Sequence, residues 1–204
     1  HCSTRSAVEQ CVYFVPKTEK RHLLDRLLRE EKAERSIVFT RTKHGANRLA
    51  EQLSRAGLVA AAIHGNKSQG ARERALHGFR TGSVAVLVAT DLAARGIDVE
   101  GITHVFNYDL PNVPESYVHR IGRTGRAGAS GRAIAFCDAE ERALLREIER
   151  FVKKGIPVAG SVNTTPPTEV SMPQAIGSTT NPAATTTRPS MRRRRSRRYR
   201  GSRI

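Results

Sequence analysis

Residues 84–101 read VAVLVATDLAARGIDVEG, and their two halves ask for different surroundings. The first six residues form an unbroken apolar run, which suits a strand buried on both faces better than one with a wet side. The run stops at Thr90 and Asp91, and the segment after it offers Arg95, Gly96 and Asp98. Working outward, the same kind of short run recurs as SIVF (36–39), LVAAAI (58–63), THVFNY (103–108) and RAIAFC (132–137), with QCVYFV (10–15) as an additional strand ahead of them.

Helical patterns fill the intervals. Leu23, Leu24, Leu27 and Leu28 give 18–32 an apolar face, and Ala46, Leu49, Ala50 and Leu53 do the same for 43–56, with Gly57 at its C-terminal end. Over 68–81, Ser68 is the predicted N-cap, Ala71, Ala75, Leu76 and Phe79 face inward, and Gly82 closes the helix. The last helix is predicted to start at an Asp-led capping box, Asp138 with Glu141, and to bury Leu144, Leu145, Ile148, Phe151 and Val152 up to Gly155. Strand and helix in alternation predict right-handed crossovers and a mostly parallel sheet with helices on both faces. Ligands of such sheets bind beyond the carboxyl ends of the strands. The polar or basic loops TRTKHG (40–45), HGNKSQGARER (64–74), the one after residue 89 and HRIGRTGRAG (119–128) are all expected at that edge.

HRIGRTGRAG holds three arginines among glycines. A guanidinium donates two parallel hydrogen bonds to phosphate and stays charged at any working pH, while glycine admits close backbone approach. With Pro114 in a first helical turn, His119 and Arg123 fall at i, i+4 on one face and Arg126 follows in the loop. A solvated basic turn is the alternative reading of this segment taken alone. The whole chain of 204 residues has a formal charge of +16, which points to a polyanionic partner. Residues 161–204 hold nine Arg and one Glu, a net of +8, so residues 1–160 carry 16 − 8 = +8. The tail is rich in Thr, Ser, Pro and Ala before its arginine run, a composition expected to be disordered. Cys2, Cys11 and Cys137 are odd in number and widely spaced, which suggests neither a disulfide framework nor a zinc site and fits a reducing cytoplasm. No apolar run is long enough for a membrane span, so no membrane partner is expected.

VFTRTK (38–43), the QGAR of 69–72, VLVATDLAARGID (86–98) and YVHRIGRTGRAG (117–128) resemble, in order and spacing, motifs IV, IVa, V and VI of the DEAD-box RNA helicases. Over residues 8–157 the chain is similar to the second RecA-like domain of that family, in particular to its bacterial RhlE-type members. The resemblance implies a three-layer RecA-like domain over 1–160, followed by the basic tail. It implies ATP as the nucleotide, RNA as the partner, and a monomer. Arg123 and Arg126 match paired arginine fingers directed at the γ-phosphate. Asp98, with Gly96 beside it, matches the ribose contact. His119 matches the residue that pairs with Gln69 and links RNA binding to hydrolysis. Thr42, Arg72, Thr90 and Asp91 match positions along the RNA backbone, and Arg95 and Arg120 match contacts between the two lobes.

The sequence also departs from the family pattern. GxxxxGK[ST], the DEAD tetrapeptide and the glutamine-led adenine segment are missing, so the elements that hold triphosphate and Mg²⁺ are expected in an N-terminal lobe upstream of His1. The expected function is the C-terminal motor lobe of an ATP-dependent RNA helicase, inactive as an isolated chain. The alternative is a stand-alone RNA-binding or regulatory module without ATPase activity. A DNA translocase of the same superfamily ranks below both.

Overall fold

In the computed structural model, which describes residues 8–161 apart from 96, 127 and 128, every interior apolar run becomes a strand. The elements are β1 (Val8–Phe14), α1 (Lys20–Glu30), β2 (Ser36–Phe39), α2 (Lys43–Arg55), β3 (Ala60–Ile63), α3 (Gln69–Thr81), β4 (Val86–Ala89), α4 (Asp91–Ala94), β5 (His104–Asn107), α5 (Pro114–Ile121), β6 (Gly131–Cys137), α6 (Arg142–Val152) and β7 (Val158–Ser161). The strand order is β3-β4-β2-β5-β6-β1-β7, and each of its pairings is parallel. The central strands β2 and β4 are buried along their whole length, as continuous apolar runs require.

Successive residues of these strands feed two different cores. Val38, Val88, Phe106, Ile134 and Phe136 pack with the leucines of α1 and with Ala46, Leu49, Ala50 and Leu53 of α2. On the opposite face Ile37, Phe39, Leu87, Ala89 and Val105 meet Phe79 of α3 and Ala93 and Ala94 of α4. Farther along that face, Val12, Ala135 and Cys137 meet Tyr117 of α5 and Leu145 and Ile148 of α6. Each fully buried Leu, Ile or Phe is worth about 1.5–3 kcal/mol, so these layers, rather than the surface ion pairs, hold the sheet.

Several boundaries differ from expectation. Leu58 and Val59 precede β3, and β4 begins only at Val86. The Asp138–Glu141 box forms, with Asp138 Oδ1 accepting from the Glu141 N–H at 3.1 Å and the Asp138 N–H 3.4 Å from Glu141 Oε2. It closes a turn ahead of the helix, however, and α6 starts at Arg142. Phe151, expected in the core, is 45% exposed, because only Leu145 and Ile148 point squarely at the sheet while Leu144 and Val152 flank them. Ala71 is only partly buried, since α3 meets the sheet mainly through Phe79. Strand β7 runs through the boundary expected at residue 160, pairing with β1 where no apolar run announced it. Of the tail expected at 161–204, all but Ser161 lies outside the described residues, as does Cys2. Cys11 and Cys137 are buried free thiols.

Candidate functional site

The short helix α4 leaves the carboxyl end of β4, and α5 lies beside it on the same face of the sheet. Between them is a cavity of about 340 Å³ with Phe39 of β2 at its floor and Asp91, Arg95, His119, Arg120 and Arg123 around it. Pro114 occupies the first turn of α5, where its missing N–H costs nothing. The helix ends at Ile121, two residues short of Arg123, so the expected i, i+4 pairing of His119 and Arg123 on one helix face is not formed. Arg123 instead lies in the turn beyond, its Nε 3.4 Å from the His119 carbonyl oxygen and its Nη1 donating to the Ile97 carbonyl at 2.9 Å.

That turn sits at the amino ends of β5 and β6. Thr124 Oγ1 donates to the carbonyls of Ile102 and Thr103, just ahead of β5. A Cβ on Gly131, the first residue of β6, would fall on Thr124 and on the Gly125 nitrogen. Gly125 has φ +68°, and a Cβ there would press on Val8. The expectation that all four basic loops meet at the carboxyl edge is therefore corrected. The turn at 122–125 precedes β6 instead of following a strand, so α5 carries it to the opposite edge while Arg120 still reaches the carboxyl ends of β4 and β5, and the cavity lies along the sheet face between the two.

The three arginines are held in different ways. Arg120 is 2% exposed and stacks over the Phe39 ring at 4.9 Å. It makes a two-pronged pair with Asp91 (2.6 and 2.8 Å) and donates to Asn107 Oδ1 and the Asp109 carbonyl. Its fork is consumed inside the domain, where interdomain contact was expected, and Asp91, expected on RNA, is its partner. Arg126 donates to the Gly122 carbonyl at 2.8 Å and to Asp98 at 3.1 Å, with side chains 39% and 87% exposed. Arg123 and Arg126 are close enough to matter to one another: partial burial and then the Arg126 charge pull the Arg123 pKa down, with only Asp98 opposing.

The remaining expected residues are distributed over the β4 side. Arg72 of α3 donates to the Ala93 carbonyl at 2.8 Å, bracing α4. Thr42 caps α2 by accepting from the Gly45 N–H at 3.0 Å, and Thr90 precedes α4 with extended backbone and no cap bond. Gln69 donates to Glu73 on its own helix at 2.8 Å, and its expected pairing with His119 is not made among the described residues. His119 and Arg95 are exposed at the cavity. Gly96 lies outside the described residues.

Two groups were missed in the sequence. Asn107 and Asp109, at the end of β5, complete the acceptors around Arg120 but stand on the other side of a loop and most of α5 in the chain, and no local spacing links them. Lys20 is 1% exposed within reach of Glu141, Asp138 and Asp109. Its signal was present: Lys20 stands on the same 20, 23, 24, 27 stripe as the buried leucines of α1. His64, also buried, has Nε2 at 2.9 Å from Asn47 Oδ1 and accepts from the Asn66 N–H at Nδ1. Burial, then Lys67, Lys43 and His44, push its pKa down and favour this neutral form.

A parallel sheet layered by helices on both faces, with an arginine-lined cavity along one of them, defines a RecA-like α/β lobe. Residues 19–128 match the family model of the helicase conserved C-terminal domain. Over 151 residues, 74% of this chain, the sequence is 48% identical to the DEAD-box ATP-dependent RNA helicase CshA of Bacillus subtilis, covering 31% of it. The fold is similar to that of the E. coli DEAD-box protein SrmB bound to regulator of ribonuclease activity A, at 40% identity and a TM-score of 0.72 over 74% of this chain and 90% of that one. It is also similar to S. cerevisiae Dbp5 bound to RNA and ADP BeF3, at 33% identity and a TM-score of 0.70 over 77% of this chain and 42% of that one. The chain belongs to the helicase conserved C-terminal domain family, in its DEAD-box branch. It spans about a third of the length of the curated relatives it matches. The RhlE-type assignment rests on the motif resemblance alone.

Proposed function

We propose that the chain is the C-terminal motor lobe of an ATP-dependent RNA helicase, and that Arg123 and Arg126 complete the hydrolytic site on an ATP held by an N-terminal RecA-like lobe. Mg²⁺ belongs to that other lobe in this reading, and the isolated chain does not turn over ATP. The observation that carries the proposal is the contrast among the arginines. A buried, fully bonded guanidinium such as Arg120 cannot leave without uncovering Asp91. Arg126 is held by one backbone acceptor, the Gly122 carbonyl, and one exposed pair with Asp98, and such a pair is worth about 0–1 kcal/mol and yields readily to phosphate. Two guanidiniums near one exposed carboxylate leave positive charge unspent, and Arg123 brings part of it to the cavity, where it would stabilise developing charge on a transferred phosphoryl group.

Asp98 would turn from Arg126 to the ribose, with Gly96 giving the nucleotide close backbone approach. His119, once paired with Gln69, would report RNA occupancy to the nucleotide. Arg95 faces the other lobe, and Arg120 sets the wall against which it docks. Thr42, Arg72, Thr90 and Asp91 form the face for an RNA backbone. Dbp5, bound to RNA and ADP BeF3, supports both ligands for this reading. The protein acts as a monomer in the cytoplasm.

The test joins the chain to a matching N-terminal lobe and measures RNA-stimulated ATP hydrolysis. Arg126→Ala is expected to lower kcat about a thousandfold or more with KM nearly constant. Arg126→Lys is expected not to restore it, since lysine keeps the charge but loses the planar fork. Wild-type kcat in both variants would make HRIGRTGRAG a basic turn, whereas a joined parent with no RNA-stimulated hydrolysis would favour the stand-alone RNA-binding module.

A further inference from the structure

A second group of charges gathers at the carboxyl ends of β2, β5 and β6, apart from the arginine cavity. Lys20 Nζ donates to Glu141 Oε2 and lies 3.2 Å from Asp138 and 3.9 Å from Asp109. Glu141 turns its other oxygen, Oε1, outward, where it accepts from Arg41 Nη2 at 2.8 Å and from the Leu110 N–H at 3.1 Å. Arg41 Nη2 also donates to the Leu110 carbonyl at 3.1 Å, and the Arg41 N–H donates to Asp109 Oδ2 at 2.9 Å. Arg41 directly precedes Thr42. The Asp109 carbonyl is one of the acceptors that fix Arg120, and Arg120 fixes Asp91.

Three loops, 40–42, 109–110 and 138–141, are thereby locked to one buried ammonium. Stability alone is a poor reason for such an arrangement, because desolvating an ion pair costs about as much as the pair returns, and apolar residues of similar size would do as well. What the charges add is direction. One nitrogen of the Arg41 guanidinium, Nη2, is held on two acceptors, and the Arg41 N–H on a third, so the backbone leading into Thr42 has one position.

We propose that Glu141 is a positioning residue for the RNA-facing loop 40–42, acting through Arg41 and, by way of Asp109, on the Arg120–Asp91 clamp. Glu141 lies beyond the 19–128 segment that defines the family match, so this role is carried by a part of the chain the family model does not include. The inference rests on the RNA face proposed above.

The sign of one substitution separates positioning from electrostatics. Glu141→Gln removes a negative charge near a surface that takes a polyanion, so Coulomb's law alone predicts tighter binding. A glutamine oxygen can still accept from the Leu110 N–H but holds Arg41 without a charge, and Lys20, which loses the acceptor Oε2, keeps Asp138. Affinity for a single-stranded oligoribonucleotide is measured by fluorescence anisotropy on the 204-residue chain across a salt series. If Glu141 positions the loop, Glu141→Gln binds about three- to tenfold more weakly and adds little in an Arg41→Ala background. The slope of log affinity against log salt is unchanged, since no phosphate contact is lost. Arg41→Lys, which keeps the charge but is too short to hold Glu141 and the Leu110 carbonyl together, weakens binding to a similar degree. Equal or tighter binding by a folded Glu141→Gln protein, or an effect that adds fully to that of Arg41→Ala, overturns the proposal. Thermal unfolding by circular dichroism shows which variants are folded. Should Glu141→Gln not fold, Arg41→Lys decides, and undiminished affinity overturns it. A parent chain whose affinity is indifferent to both Arg72→Ala and Thr42→Ala overturns the RNA face and this inference together. A parent that responds to those two but not to Glu141→Gln overturns this inference alone.

Discussion

Arg120 and Arg126 sit six positions apart in one motif, yet water reaches only one of them. Arg120 meets Asp91, Asn107, the Asp109 carbonyl and the Phe39 ring, and every one of these contacts is short-range and dry on the arginine side. Truncating one partner of a buried pair leaves the other uncompensated. Arg120→Met should therefore destabilise the domain by about 3 kcal/mol, the low end of the usual range because Asp91 is 39% exposed. Urea unfolding followed by far-ultraviolet circular dichroism checks this, and a loss below about 1 kcal/mol would mean that the clamp is ornamental. Nothing in HRIGRTGRAG itself distinguishes its arginines. The chemistry of the motif was legible as phosphate-seeking, but which guanidinium is spent on the fold depends on Asp91, Asn107 and Asp109, and the last two come from the end of a different strand.

At the scale of elements, the turn between β6 and α6 concentrates the acid sensitivity of the fold. Burial alone would raise the Asp138 pKa. Lys20 and the amide N–H groups of Glu141 and Glu140 outweigh it and hold the carboxyl below its ordinary value of 3.8. A carboxyl depressed in the folded state contributes stability that is fully present above the unfolded value and is lost as pH falls through the folded one. The melting temperature of the wild type should therefore drop steeply below about pH 4, while Asp138→Asn starts lower and falls less over the same interval. A gap between the two proteins that stays constant with pH would show that Asp138 titrates normally. The sequence announced the capping box but not its place, one turn before the helix, because Glu141 is drawn to Lys20 and Arg41 and leaves the helix to begin at Arg142.

For the whole molecule, charge predicts behaviour that no single contact does. Residues 162–204 contain nine arginines and one glutamate, and the chain as a whole carries +16. Each phosphate neutralised on single-stranded RNA contributes about −0.7 to the slope of log affinity against log salt. Removing residues 162–204 should flatten that slope by several such increments while leaving the response to Arg72→Ala intact, as measured by anisotropy between about 50 and 200 mM salt. An unchanged slope would show that the tail does not touch RNA. By itself the sequence determined the layered parallel sheet, most of the helices with their apolar faces, and the residues rich in phosphate chemistry, because hydrophobic period and glycine–arginine loops are local properties written within a few positions. Only the tertiary structure decided that the turn at 122–125 lies at the amino edge while Arg120 is internal and reaches the carboxyl one, that β7 adds an edge strand beside β1, and that Lys20 gathers three carboxylates. Each of these depends on groups from separate crossovers meeting across the sheet, and the free energy that selects among such meetings is the burial of the whole layer, which no short stretch of the chain contains.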